Sequence, residues 1–174
     1  MLFRSHWARH LLRIRTLQEK TQGFTEFVPL PFVHMEAPVY LRGGARKGPT
    51  FREALLMYAV ARLVLNSVLP NIQVSWVKMG EAGVVAALAA GANDLGGTLM
   101  NESISRAAGT QHGQEMAPAA MDALIRRAGR VPQQRTTLYG AASTEREQRS
   151  YSAPPLAALP SIIAPVRRRI SEAA

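Results

Sequence analysis

The sequence contains no cysteine. That excludes disulfides, a thiolate nucleophile and any iron–sulfur cluster held by the chain's own cysteines. Aromatic residues make up only 6% of the chain and do not interleave with its basic residues, so a stacking surface for single-stranded nucleic acid is not expected. Acidic residues are few, 12 against 21 Lys and Arg, which leaves a formal charge of +9. Such a balance fits either a nucleic acid or an anionic substrate. The arginines are dispersed, with small clusters only at Arg126-Arg127 and Arg167-Arg168-Arg169, so the expectation is a solvated basic surface and no nucleic-acid partner. No apolar run reaches the ~20 residues of a membrane span, and no membrane partner is expected. Met1 to Arg15 mixes Leu and Trp with His and Arg, which is not a signal-peptide pattern; a cytoplasmic location is expected.

What is present suits one domain. Hydrophobic residues make up 47% of 174, enough for a core but short of the roughly 250 residues of a complete eight-stranded α/β barrel. Ser5 can cap a helix whose apolar positions are Trp7, Leu11, Ile14 and Leu17, stopped by Gly23. His6 and His10 lie four apart on it, but without a third ligand they read as surface histidines. Phe24 to Phe32 is rich in aromatic and β-branched residues and reads as a strand, ended near Val28 by Pro29 and Pro31. Glu26 is an acid inside that apolar strand, and a buried acid needs a partner; pointing to solvent is the plain alternative. His34 follows in the loop, as a proton carrier, a donor to substrate, or a loop histidine only. The loop of residues 35–49 is glycine-rich and basic but lacks phosphate-loop spacing.

Thr50-Phe51-Arg52-Glu53 is a capping box, opening a helix to about Asn66 with Leu55, Leu56, Ala59, Leu63 and Val64 as its expected buried stripe. Residues 71–78 read as the next strand, with Gln73, Ser75 and Lys78 alternating against Ile72, Val74, Trp76 and Val77. Polar residues on one face of a parallel strand suggest a lined site. An alanine-rich helix from Gly80 ends at Gly91.

Gly91 to Met100 is the stretch the rest is arranged around. It reads as a strand carrying Asn93 and Asp94 and closing on Gly96, Gly97 and Thr98. Polar groups followed by small residues fit the C-terminal mouth of a parallel barrel strand. An Asn-Asp turn between two helices is the other local reading. A short helix Glu102–Ala108 follows, with Glu102 and Arg106 spaced to pair. Next come a loop with His112, a helix from Pro118 to Gly129, and Gln133–Tyr139 as a last short strand. Residues 141–174, rich in Ala, Ser, Pro and Arg, read as a low-order tail with a short basic helix near Ile170. Strands alternating with helices imply an α/β fold with a parallel sheet.

Several motifs in one order carry a family resemblance. Gly23 through His34, Asn71 through Lys78 and Gly91 through Met100 closely resemble segments of the radical S-adenosylmethionine enzymes that make the deazaflavin precursor FO. Ile104-Ser105-Arg106, Ala108-Gly109, His112-Gly113 and Gln134-Arg135-Thr136-Thr137 follow in the family's order. Radical enzymes of menaquinone synthesis, aminofutalosine synthase and the futalosine cyclase, look similar but less close, notably at Gly97. The resemblance implies residues 1–140 as the C-terminal half, about strands 6–8, of a TIM-type (βα) barrel. It also implies a 4Fe–4S cluster and S-adenosylmethionine as cofactors, with L-tyrosine and 5-amino-6-(D-ribitylamino)uracil as substrates.

In such an enzyme the cluster splits S-adenosylmethionine, the adenosyl radical abstracts hydrogen from tyrosine, and the 4-hydroxybenzyl group is transferred to the uracil. A second radical enzyme, a possible partner, cyclises the product to FO. The family's cluster sits on C-x-x-x-C-x-x-C, which this chain lacks. A truncated or split gene product, inactive alone and working with a complementary N-terminal half, is therefore the expectation; a half-barrel repurposed as a binding module is the alternative. A half-barrel leaves sheet edges open, so poor solubility or oligomerisation is expected. Carried over by position, Glu26, His34, Gln73, Ser75, Asn93, Asp94 and Thr98 fall at strand ends and face substrate or cofactor. Leu30 and Phe32 lie near the adenine. Glu102, Arg106 and Arg135 are further candidates, pairing with carboxylate or ribityl oxygens. For each, a hydrogen bond that merely holds the barrel mouth together is the alternative.

Overall fold

Helix α1 spans Arg4–Thr21 and stops where Gln22 turns to a φ of 50°, just ahead of Gly23. Leu11 and Gln18 are its buried residues, whereas Leu17 is exposed. The Gln18 amide is used at both ends. Its Nε2 donates to the carbonyls of Phe24 (3.0 Å) and Val68 (3.3 Å), and its Oε1 accepts from Phe24 N at 2.9 Å. A buried amide is tolerated because it is satisfied. The computed structural model describes residues 4–97, 103–110, 112–113 and 115–157.

A four-residue helix, α2 (Pro38–Leu41), interrupts the loop that the sequence suggested between residues 35 and 49. Helix α3 (Phe51–Leu65) opens with the expected capping box: Glu53 N donates to Thr50 Oγ1, and Thr50 N donates to Glu53 Oε2. Its buried face is Ala54, Tyr58, Ala61 and Leu65, not the stripe expected from its leucines. Leu63 is 82% exposed and Leu56 is also exposed, while Leu55 and Val64 flank the core. The helix is apolar almost all round, so its pattern does not select a face; tertiary packing does.

The strands are shorter than expected. Strand β1 is Gln73–Val74, and β2 is Asp94–Leu95, parallel to it with Gln73 opposite Asp94 and Val74 opposite Leu95. The 24–32 segment contributes one parallel bridge, Phe27 to Ile72. Trp76, Val77 and Lys78, expected in the strand, instead start α4 (Trp76–Ala89). Gly80 interrupts α4 at φ 65° and ψ 176°, with the His112 ring packed where a side chain would stand. The last expected strand is reduced to an antiparallel bridge between Arg135 and Ala141. Helices α5 (Ile104–Ala107) and α6 (Pro118–Arg127) follow. Helix α7 (Thr144–Ser152) lies inside the segment expected to be low-order. Ser143 caps it, and Tyr151 donates to Asp122 of α6, so local capping and docking order a stretch whose composition did not announce a helix.

Thus a parallel pair with a third segment bridged at its edge is covered by α1, α3, α4 and α6, with Leu11, Tyr58, Leu65, Leu69, Ile72, Val74, Val77, Val84 and Leu124 in one core. Among the described residues no helix is long and apolar enough to cross a membrane.

Candidate functional site

Alternation along the strands sorts the polar residues into two sets. Gln73 and Asp94 are register partners and share a face. Glu26 precedes Phe27, the partner of Ile72, and so joins Gln73 on that face. Gln73 Nε2 donates to Glu26 Oε2 and to Asp94 Oδ2, each at 2.9 Å. Gly96 sits beside it, where a Cβ would come within 3.2 Å of Gln73 Oε1.

The segment after α6 brings two more side chains to this row. Arg135 Nε donates to Asp94 Oδ1 at 2.8 Å, and one terminal nitrogen reaches Asp94 Oδ2 at 2.5 Å and Glu26 Oε2 at 3.3 Å. Its other terminal nitrogen donates to the Thr136 carbonyl at 3.1 Å. Tyr139 lies against Arg135, its ring 3.9 Å from the guanidinium carbon. The Tyr139 hydroxyl is 2.6 Å from Glu26 Oε2 and 3.1 Å from Asp94 Oδ2. The hydrogen bonds that Arg135 donates to Asp94 push the guanidinium above its usual range. Burial, then the bond to Glu26, pushes the Tyr139 phenol well above the usual tyrosine range, so Tyr139 works as a neutral donor. Asp94, Arg135 and Tyr139 also line a cavity of about 970 Å³.

The other candidates lie elsewhere. Asn93 does not face this row: consecutive strand residues point to opposite faces, and its Oδ1 accepts from Arg62 at 2.7 Å and from Ile72 N at 2.8 Å. Ser75 is the residue before α4; its carbonyl accepts from Lys78 and Met79, and its side chain makes no capping bond. His34 packs edge-on against Tyr40, with ring centres 4.8 Å apart. Leu30 and Phe32, both exposed, line a second cavity with Trp7, Leu12, Arg9 and Arg13. Arg106 lies on α5, and Thr98 and Glu102 fall outside the described residues. Tyr139 was not among the sequence candidates; its place two residues after Gln134-Arg135-Thr136-Thr137 is the signal that could have found it.

The chain's residues do not fit an iron–sulfur cluster. Cysteine is absent, and among the described residues no three His, Asp or Glu side chains come together as metal ligands.

Over most of its length the chain is similar to much longer proteins. FO synthase of Nocardia farcinica is 53% identical over 136 residues, which cover 78% of this chain and 16% of that protein. The 5-amino-6-(D-ribitylamino)uracil–L-tyrosine 4-hydroxyphenyl transferase of Methanopyrus kandleri is 55% identical over 133 residues, 76% of this chain and 36% of the transferase. The transferase of Methanocaldococcus jannaschii is 51% identical over 134 residues, 77% of this chain and 37% of its own length. The chain therefore spans between about a sixth and somewhat over a third of these relatives. Residues 21–148 match the family described as the CofH/MqnC C-terminal region, and the chain belongs to that family.

Proposed function

We propose that this chain is the substrate-lining C-terminal part of a radical S-adenosylmethionine transferase that moves the 4-hydroxybenzyl group of L-tyrosine to 5-amino-6-(D-ribitylamino)uracil, on the way to the deazaflavin FO. The observation that carries this reading is the row of Glu26, Gln73 and Asp94 on one face of parallel segments, within a region half identical to enzymes named for that transfer. Parallel segments separated by helices suit part of a (βα) barrel, and the outer sides of Phe27 and β2, unpaired among the described residues, leave room for further strands. The role assigned to this chain is to bind and orient. Arg135 and Tyr139 fix the two carboxylates, and the carboxylates and Gln73 meet substrate donors. Leu30 and Phe32 offer an apolar surface to the adenine of S-adenosylmethionine. The cysteines of the cluster, and with them the radical chemistry, come from a complementary N-terminal part. The setting is cytoplasmic, with the FO-cyclising enzyme as the consumer of the product.

The test is co-expression with a polypeptide carrying C-x-x-x-C-x-x-C, followed by mass-spectrometric assay of the tyrosine–uracil adduct. We expect adduct only when both parts are present, and at least tenfold less with Asp94→Ala, the loss of about 1.4 kcal/mol of binding. Absence of adduct from a soluble, cluster-loaded complex would falsify the proposal. The missing cysteine favours one second reading, a binding module without catalysis. Saturable binding of the ribitylaminouracil, with no adduct under complementation, is its signature.

A further inference from the structure

We infer that Tyr139 is a positioning residue of this site, acting through the Glu26 carboxylate; the inference rests on the reading that the polar row meets substrate. Two oxygens, Glu26 Oε2 and Asp94 Oδ2, are both approached by the same three donors: Gln73 Nε2, an Arg135 terminal nitrogen and the Tyr139 hydroxyl. Asp94 Oδ1 is taken by Arg135 Nε. Glu26 Oε1 is the remaining carboxylate oxygen, and among the described residues none donates to it. The Glu26 side chain is 32% exposed, so this oxygen belongs to a carboxylate that a ligand can reach.

A hydroxyl has one proton to give. The 2.6 Å distance to Glu26 against 3.1 Å to Asp94 assigns that proton to Glu26. The turn that delivers it is pinned on all sides. Tyr139 sits at φ 63°, an uncommon conformation for a bulky residue. Tyr139 N donates to Thr136 O, Gly140 N to Thr136 Oγ1, and Thr136 N to Gly140 O. The ring meanwhile rests on Arg135. Arg135 is committed to Asp94, Glu26 and Thr136, so it does not present an open fork to an anion. The substrate group matched to Glu26 Oε1 is a hydrogen-bond donor: an ammonium, amino or hydroxyl hydrogen.

The test titrates the full chain by calorimetry with L-tyrosine and, separately, with 5-amino-6-(D-ribitylamino)uracil. For the probe that the native chain binds, Tyr139→Phe weakens affinity about tenfold, the scale of one charge-assisted hydrogen bond. Glu26→Gln weakens it at least as much, and the double variant is no weaker than Glu26→Gln alone. A tyrosine with a structural role only would lower the unfolding temperature and leave the two losses additive. Additive losses, or native affinity in Tyr139→Phe, overturn the inference. A ligand-free reading accompanies it: the ¹³C carboxyl resonance of Glu26 shifts in Tyr139→Phe while those of Glu19 and Glu145 stay, and an unmoved Glu26 resonance overturns the inference as well. If the native chain binds neither probe, the substrate reading fails; a shifted resonance then reduces Tyr139 to a structural tie.

Discussion

Asp94 and Arg135 meet as a two-pronged pair, with Nε on Oδ1 at 2.8 Å and a terminal nitrogen on Oδ2 at 2.5 Å. Their side chains are 11% and 26% exposed, so water replaces little of what either loses if the other is removed. Asp94→Ala leaves a half-buried guanidinium with only Glu26 and one carbonyl. We expect a loss of about 2 kcal/mol, since breaking one side of a buried pair costs more than the pair's net worth. Arg135→Met added to Asp94→Ala should restore part of it. Urea midpoints of the two variants measure this; equal midpoints for Asp94→Ala and native protein would remove the pair from any structural role.

Tyr58 predicts a response to alkali. It is fully buried, donates to the Pro29 carbonyl at 3.2 Å, and burial pushes its phenol up to about 12. The unfolded chain ionises near the ordinary value of 10, so above that pH the unfolded state alone gains by losing the proton. Stability from this group is complete below pH 10 and drains away between about pH 10 and 12. Tyr58→Phe should be slightly less stable than native at neutral pH and should lose less stability between pH 9 and 11.5. Parallel pH profiles for the two proteins in urea unfolding would contradict this assignment.

Gly80 predicts a steric penalty. At φ 65° it occupies a conformation that side chains rarely adopt, and a Cβ there would lie 2.4 Å from His112 Cε1. Gly80→Ala should cost roughly 2 kcal/mol. For a chain of this size that lowers the unfolding temperature by about 4–8 °C. His112→Ala combined with Gly80→Ala should recover the clash but not the backbone strain. Calorimetry of the single and double variants separates the two parts, and a native unfolding temperature for Gly80→Ala would refute both.

Local signals in the sequence translated well where short-range chemistry decides the outcome. Thr50 and Glu53 are three apart and satisfy each other's backbone, so the start of α3 was legible. Glu26, Gln73, Asp94 and Arg135 stand out in the sequence one by one, as polar residues at strand ends or in a motif, but the network that joins them is made by contacts 21 to 109 residues apart and is visible only in the structure. What failed depended on tertiary context. The leucines of α3 could not say which side faces the core, and Ala54 and Ala61 lie there instead. Trp76 and Val77 suit a strand or a helix equally in a short apolar window, and helix won. Asn93 was grouped with Asp94 although neighbours on a strand face apart. Nothing in the composition of Tyr139 marks a left-handed backbone, so its place in the network depended on a turn that sequence alone did not announce.

Arg62 holds the opposite end of the strands. Its guanidinium donates to the carbonyls of Pro70 and Gly91 and to Asn93, whose Oδ1 also accepts from Ile72 N. One cation therefore spaces the entrances of both strands from beneath, by bonds that involve none of the groups in the row above. Loss of a side chain from the row therefore leaves the Arg62 bonds in place. The two ends of the strands are thus tied independently, one by Arg62 and the other by the network of Glu26, Gln73, Asp94 and Arg135.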